Sequence, residues 1–124
     1  MNKSLIIAAI LGLTSVVMGS YTEHGLKQTI SAKQFEVMAT AIKYNQLYAI
    51  LLVVLAMLKF TNIEQNMAKR LNIAFIIFTI GTIFFSFSIY ASVLLNIRSL
   101  TYITPFGGIS LIAGWCYMIW LGTR

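Results

Sequence analysis

Carboxylates are scarce in this chain. Three glutamates, Glu23, Glu36 and Glu64, and no aspartate stand among 124 residues, beside one histidine, one cysteine and one proline. Each shortage closes off a class of chemistry. A metal centre takes about three or four protein ligands, and His24 with three scattered glutamates does not supply them. No serine, histidine and acid recur at a recognisable catalytic spacing, so the sequence argues against an enzyme and implies no cofactor. Cys116 has no cysteine partner in the chain and reads as a small buried apolar residue of the last apolar segment. Charge itself is thin, at 10% of residues against about 25% in soluble domains.

What charge there is has one sign. Nine Lys and Arg give a net charge of +6. In a soluble protein that excess would raise the question of nucleic acid. Here the basic residues fall in short runs between apolar segments, where they anchor helix ends at headgroups. The partner this implies is a lipid bilayer, not nucleic acid.

Apolar residues make up 59% of the chain, and they gather in four segments. The last is the best defined. Thr104 can cap a helix whose first residue is Pro105, where the missing N–H costs nothing. Roughly 17 uncharged residues follow, close to the hydrocarbon thickness of a bilayer at about 1.5 Å each. The same reading predicts spans over residues 5–21, 44–60, 73–95 and 105–121. The first also fits a cleavable signal peptide, with Lys3, an apolar run and a tolerable cleavage site at Val17 and Gly19. A signal peptide has no need of the small-residue stripe Ala8, Gly12, Ser15 and Gly19, which predicts a retained, packed helix. Gly25 is read as that helix's stop, and Ser31 as the cap of a short helix in the following loop.

The fold expected is therefore all-α and integral to the membrane: a single four-transmembrane-helix bundle. Small residues mark its packing faces, because without a Cβ or with a short side chain two backbones approach closely. Gly12, Ser15, Gly81, Gly107 and Gly114 are expected to face other helices. Gly81, Ser88 and Ser92 repeat the spacing of the first segment's stripe, which suggests that the first and third helices pack together. Four spans put both termini on one side. Lys3, Lys59, Lys69, Arg70 and Arg124 with the amino terminus lie there, against Lys27, Lys33, Lys43 and Arg98, which favours cytoplasmic termini by a narrow margin.

Alternating the helix directions collects the polar residues at one end. His24 closes the first helix, Tyr44, Asn45 and Tyr48 open the second, Ser88, Tyr90 and Ser92 lie toward the exit of the third, and Thr104 opens the fourth. The other end reads as aliphatic and aromatic apart from its loop charges. Polar groups in a low-dielectric bundle must find partners, so the cluster is either an interhelical clamp or a site. Two functions follow from that fork. One is an accessory or scaffold bundle packing with itself or with a larger membrane complex. The other is a pocket protein, or a transport or channel subunit, binding a lipid headgroup or small solute near His24. In either case His24 is expected within reach of Tyr44, Asn45 and Tyr48.

Gly19 with His24, Gly25 and Leu26, then Tyr44 with Ala49, form the first part of a recognisable pattern. Phe85 with Ser86, Ser88 and Tyr90 continues it, and Ile103, Thr104, Pro105, Phe106, Gly107 and Gly108 with Ala113, Gly114 and Trp115 complete it. Over nearly its whole length the chain resembles the YgdD and YwdK family of small bacterial inner-membrane proteins, a domain of unknown function. The resemblance implies four transmembrane helices and an inner membrane, and it brings no biochemical activity with it. Three positions depart from the family pattern. Asn45 stands where a Gln is usual, Tyr48 where a second His is usual, and Phe87 where a Gly separates two serines.

Overall fold

A computed structural model describes residues 1–124 as five α-helices with no strand: α1 (Lys3–Tyr21), α2 (Ala32–Met57), α3 (Gln65–Thr82), α4 (Ser88–Leu94) and α5 (Thr104–Gly122). A π-helical turn, Ile83–Phe87, joins α3 to α4 without a break, so four continuous helices remain. With their short helical extensions they run Lys3–Leu26, Ala32–Phe60, Gln65–Leu94 and Arg98–Gly122, each long and apolar enough to cross a bilayer. The protein is an all-α four-helix membrane bundle.

Local chemistry sets the helix ends. Asn2 caps α1, its Oδ1 accepting from the Leu5 N–H at 3.1 Å, while its Nδ2 donates to the Ala56 carbonyl at 3.0 Å and so ties the start of α1 to the end of α2. Ser31 and Gln34 form a reciprocal capping box at the start of α2, each bond 3.0 Å long, which satisfies two orphan donors. That cap starts no separate short helix. It opens the second span itself, twelve residues before the expected start at Tyr44, because Met38 and Ala41 are wholly buried against the Ile89, Tyr90 and Val93 side of the bundle. The third helix likewise begins early, at Gln65, with Ala68 and Leu71 covering a small cleft beside Leu55 and Leu58.

Two other ends differ from the sequence reading. Gly25 does not stop the first helix, which continues through a π-helical turn, Thr22–Leu26, with the Tyr21 ring lying over Gly25. Thr104 does not cap α5. The 3₁₀ turn Arg98–Tyr102 runs directly into that helix, so the residue before it, Ile103, is already helical and the Thr104 hydroxyl is free to bond elsewhere. Asn96 supplies the sharp reversal between α4 and that 3₁₀ turn. It holds a left-handed φ of 55°, and the Ile97 N–H returns to the Ser92 carbonyl at 3.1 Å, the long bond of a Schellman-type end.

α1 packs along α2 and α5 packs along α3, with α2 also meeting α3 and α4. The small stripe of α1 thus meets α2 and not the third helix, because a short connection makes these consecutive helices antiparallel neighbours. Ala8 and Ser15 are buried there, and a Cβ on Gly12 would sit 3.8 Å from that of Ala49. Gly81 and Gly114 instead serve the α3–α5 contact, where added Cβ atoms would come within 2.6 Å of Leu111 and 2.5 Å of the Phe78 ring. Gly107 is tighter still: its Cβ would fall on the backbone of Phe84 and Phe85 in the π-helical turn. Phe87 does not obstruct this approach, since its ring lies beside Tyr90 at 5.4 Å. Cys116 is not buried but faces outward from α5.

Candidate functional site

The polar side chains form three separate ties between helices. Asn45, wholly buried on α2, donates through Nδ2 to the Tyr90 hydroxyl on α4 at 2.9 Å. The Tyr90 hydroxyl leans on the Ala41 carbonyl at 3.5 Å, and Ser86 donates to that same carbonyl at 2.7 Å. A second tie joins α2 to α5, with Trp115 Nε1 donating to the Tyr48 hydroxyl at 2.8 Å. The third joins α4 to α5 through the Ser88 and Thr104 hydroxyls, 2.5 Å apart.

Aromatic rings fill the space between these ties. Tyr44 stacks on Phe85 at 4.7 Å and meets the edge of Tyr48 at 6.3 Å, and Tyr48 lies over Phe78 at 5.6 Å. The π-helical turn is what brings Phe85 and Ser86 to α2 together. One extra residue in the turn changes the register of the helix face, so Ser86 reaches the Ala41 carbonyl while Ser88 reaches Thr104. The Asn45 Oδ1 remains buried with no partner, and so does the Thr22 hydroxyl.

His24 lies outside this network. It sits on the exposed turn after α1, bonded to none of Tyr44, Asn45 or Tyr48. Its neighbour Glu23 pairs with Lys27 at 3.7 Å, and the shallow cleft beside them is lined by Thr22, Lys43 and Gln46 but not by His24. Ser92 is also apart, donating to the Ile89 carbonyl of its own helix. No group of three or more His, Cys, Asp or Glu gathers anywhere.

Several contributors were invisible to sequence reasoning. Ser86 meets the Ala41 carbonyl through a register that no spacing rule fixes across a π-helical turn, and Trp115 meets Tyr48 only because α5 crosses beside α2. The end expected to be aliphatic also carries polar ties, Lys59 Nζ donating to the Ser4 hydroxyl at 2.6 Å beside the Asn2 bond to Ala56, and midway along the bundle Ser110 donates to the Ile77 carbonyl at 2.9 Å. Asn2 and Ser4 precede or open the first apolar run, where a flanking polar residue is ordinarily read as solvated.

A family model described as a protein of unknown function, DUF423, matches residues 18–108. The chain belongs to this family. Among its relatives, the UPF0382 inner membrane protein YgdD of Escherichia coli K12 is 31% identical over 119 residues, covering 93% of this chain and 85% of the relative. The UPF0382 membrane protein SH2409 of Staphylococcus haemolyticus is 33% identical over 120 residues, covering 96% and 93%. A UPF0382 membrane protein of Haemophilus influenzae is 29% identical over 114 residues, covering 92% and 88%. No solved structure matches the chain. Family membership and the four spans together make this a multi-pass membrane protein in a lipid bilayer, and the family carries no assigned activity.

Proposed function

We propose that the chain is a non-catalytic accessory bundle of the bacterial inner membrane, with both termini cytoplasmic, that packs through its α1–α2 face with itself or with a larger membrane complex. One observation carries the reading. A groove of about 340 Å³ runs along the outer side of the α1–α2 pair, floored by Ala8, Gly12, Ser15 and Ala49 and open to its surroundings. Gln46 lines it, exposed on α2 and bonded to nothing in the chain. Gln46 also borders the cleft beside Thr22 and Lys43, so it stands where the groove meets that cleft; an unpartnered amide on a membrane-spanning helix is costly, and the small residues beside it admit a second helix closely. The buried ties around Asn45 and Tyr48 support the same reading from the other direction. They hold α4 and α5 to the inner side of α2 with bonds worth roughly 0.6 kcal/mol each in membrane bundles, which gives the open face a firm backing.

The test is the mass of the particle extracted in a mild detergent. Wild-type protein is expected to run above the mass of one chain plus detergent, and Ala9→Trp, which fills the groove from an exposed position, is expected to reduce it to one chain. A wild-type particle holding a single chain and no other protein overturns the proposal.

A further inference from the structure

We infer that the protein holds an anionic lipid, with the acidic headgroup at Lys33 and Arg98 and the chain in an apolar cleft between α2, α4 and α5. This site lies on other surfaces than the α1–α2 groove and does not rest on the accessory reading. Two adjoining clefts carry it. The first, of about 530 Å³, opens between the start of α2 and the 3₁₀ turn after α4, and is lined by Ser31, Lys33, Asn96 and Arg98. The second, of about 430 Å³, lies deeper, with Phe85, Ile89, Pro105 and Gly108 on its walls. Val37, Ser92 and Thr101 line both, so the two are one continuous channel with a polar mouth and an apolar body. Each part falls in the range of clefts that hold small ligands, about 300–1,000 Å³.

Charge complementarity selects the occupant. Lys33 and Arg98 come from separate elements, neither is engaged in an ion pair, and no carboxylate lines either cleft. Two unpaired cations on one rim favour a phosphate, to which an Arg can present a planar fork and a Lys a point charge. The apolar cleft then decides what carries the phosphate. It leads from the rim along Val37, one helical turn past Lys33, toward Phe85 and Gly108 in the membrane-spanning part of the bundle, and it is open on its outer side. A free phosphate has no use for such a surface; a phosphate bearing an acyl chain does. A zwitterionic lipid would bring its own cation against Lys33 and Arg98 with no carboxylate there to receive it.

Protein purified in mild detergent and stripped of lipid is titrated with dioleoyl phosphatidylglycerol, dioleoyl phosphatidylcholine, glycerol phosphate and inorganic phosphate, with bound lipid read by native mass spectrometry. Phosphatidylglycerol is expected to bind best. The double variant Lys33→Gln, Arg98→Gln should weaken it about thirtyfold, from roughly 1 kcal/mol per basic residue. Gly108→Leu fills the apolar body, since a Cβ there meets only Phe85 at 3.9 Å, and should weaken the lipid at least tenfold while leaving glycerol phosphate unaffected. Thr101→Trp, on the exposed turn, blocks the junction and serves where Gly108→Leu lowers the melting temperature. Equal binding of phosphatidylcholine, or unchanged phosphatidylglycerol binding in the charge and cleft variants, overturns the site. Inorganic phosphate binding as tightly as the lipid assigns the mouth to a free anion and overturns the lipid.

Discussion

Gly107 lies directly on the backbone of Phe85, so that α5 meets the π-helical turn with no side chain between them. A Cβ on Gly12 or Gly114 would meet side chains, whereas one on Gly107 would meet backbone first. The contact also explains why the turn and the glycine belong together: the widened turn pushes its own backbone outward, and only a residue without Cβ can receive it.

Gly107→Ala is therefore expected to lower the thermal stability of the detergent-solubilised protein by about 1–3 kcal/mol, the usual penalty of overpacking. Gly12→Ala, whose Cβ would meet Ala49 at an ordinary 3.8 Å, is expected to change it little. Parallel melting curves of the two variants check the contrast, and equal behaviour would show that the α5 crossing is looser than described.

Asn45 and Tyr90 form a buried pair, and their coupling can be measured in a double-mutant cycle. Tyr90→Phe leaves the Asn45 amide with neither of its polar atoms satisfied, since Oδ1 already lacks a partner. It is expected to cost roughly 0.6–1.7 kcal/mol, with Asn45→Ala adding less on top of Tyr90→Phe than it costs alone. Additive losses would mean that the two side chains do not interact.

His24→Ala is expected to leave the melting temperature within the spread of surface substitutions, about 0.5 kcal/mol, because the ring is exposed and bonded to no helix. A large loss of stability would place His24 inside the polar network after all.

Trp115 Nε1 donates to Tyr48 beside the Phe78 ring, so the Trp115→Phe variant removes one α2–α5 tie while keeping an aromatic ring. A loss of roughly 0.6 kcal/mol is expected, with Trp120 fluorescence unchanged. A shift in the remaining emission would reveal rearrangement beyond the single bond.

The four spans were legible because apolar length against bilayer thickness is a coarse quantity, insensitive to the fate of single residues. Helix starts were less so. Val37, Met38 and Ala41 mix with Lys33, Glu36 and Lys43, and hydropathy reads such a stretch as loop although its apolar face packs on Ile89 and Val93. The pairing of α1 with α2 was missed because small-residue stripes of equal spacing carry no label for their partner; chain connectivity supplied it. Tyr44, Asn45, Tyr48, Ser88, Tyr90 and Thr104 could be assigned to one end by counting spans, but which atoms bond depends on the π-helical turn, and no residue type announces that turn. His24 is the only histidine, and rarity in a sequence says nothing about where a turn will leave a side chain.

Packing of the α1–α2 face against a second copy or another membrane protein can be read directly by photo-crosslinking in intact membranes. A photoreactive residue replaces Ala9, in the groove, or Ile112, exposed on α5. A discrete protein adduct is expected from position 9, abolished by Gln46→Trp, and none from position 112. Position 9 yielding only uncrosslinked chain and lipid adducts, or the same protein adduct from both positions, would contradict that packing.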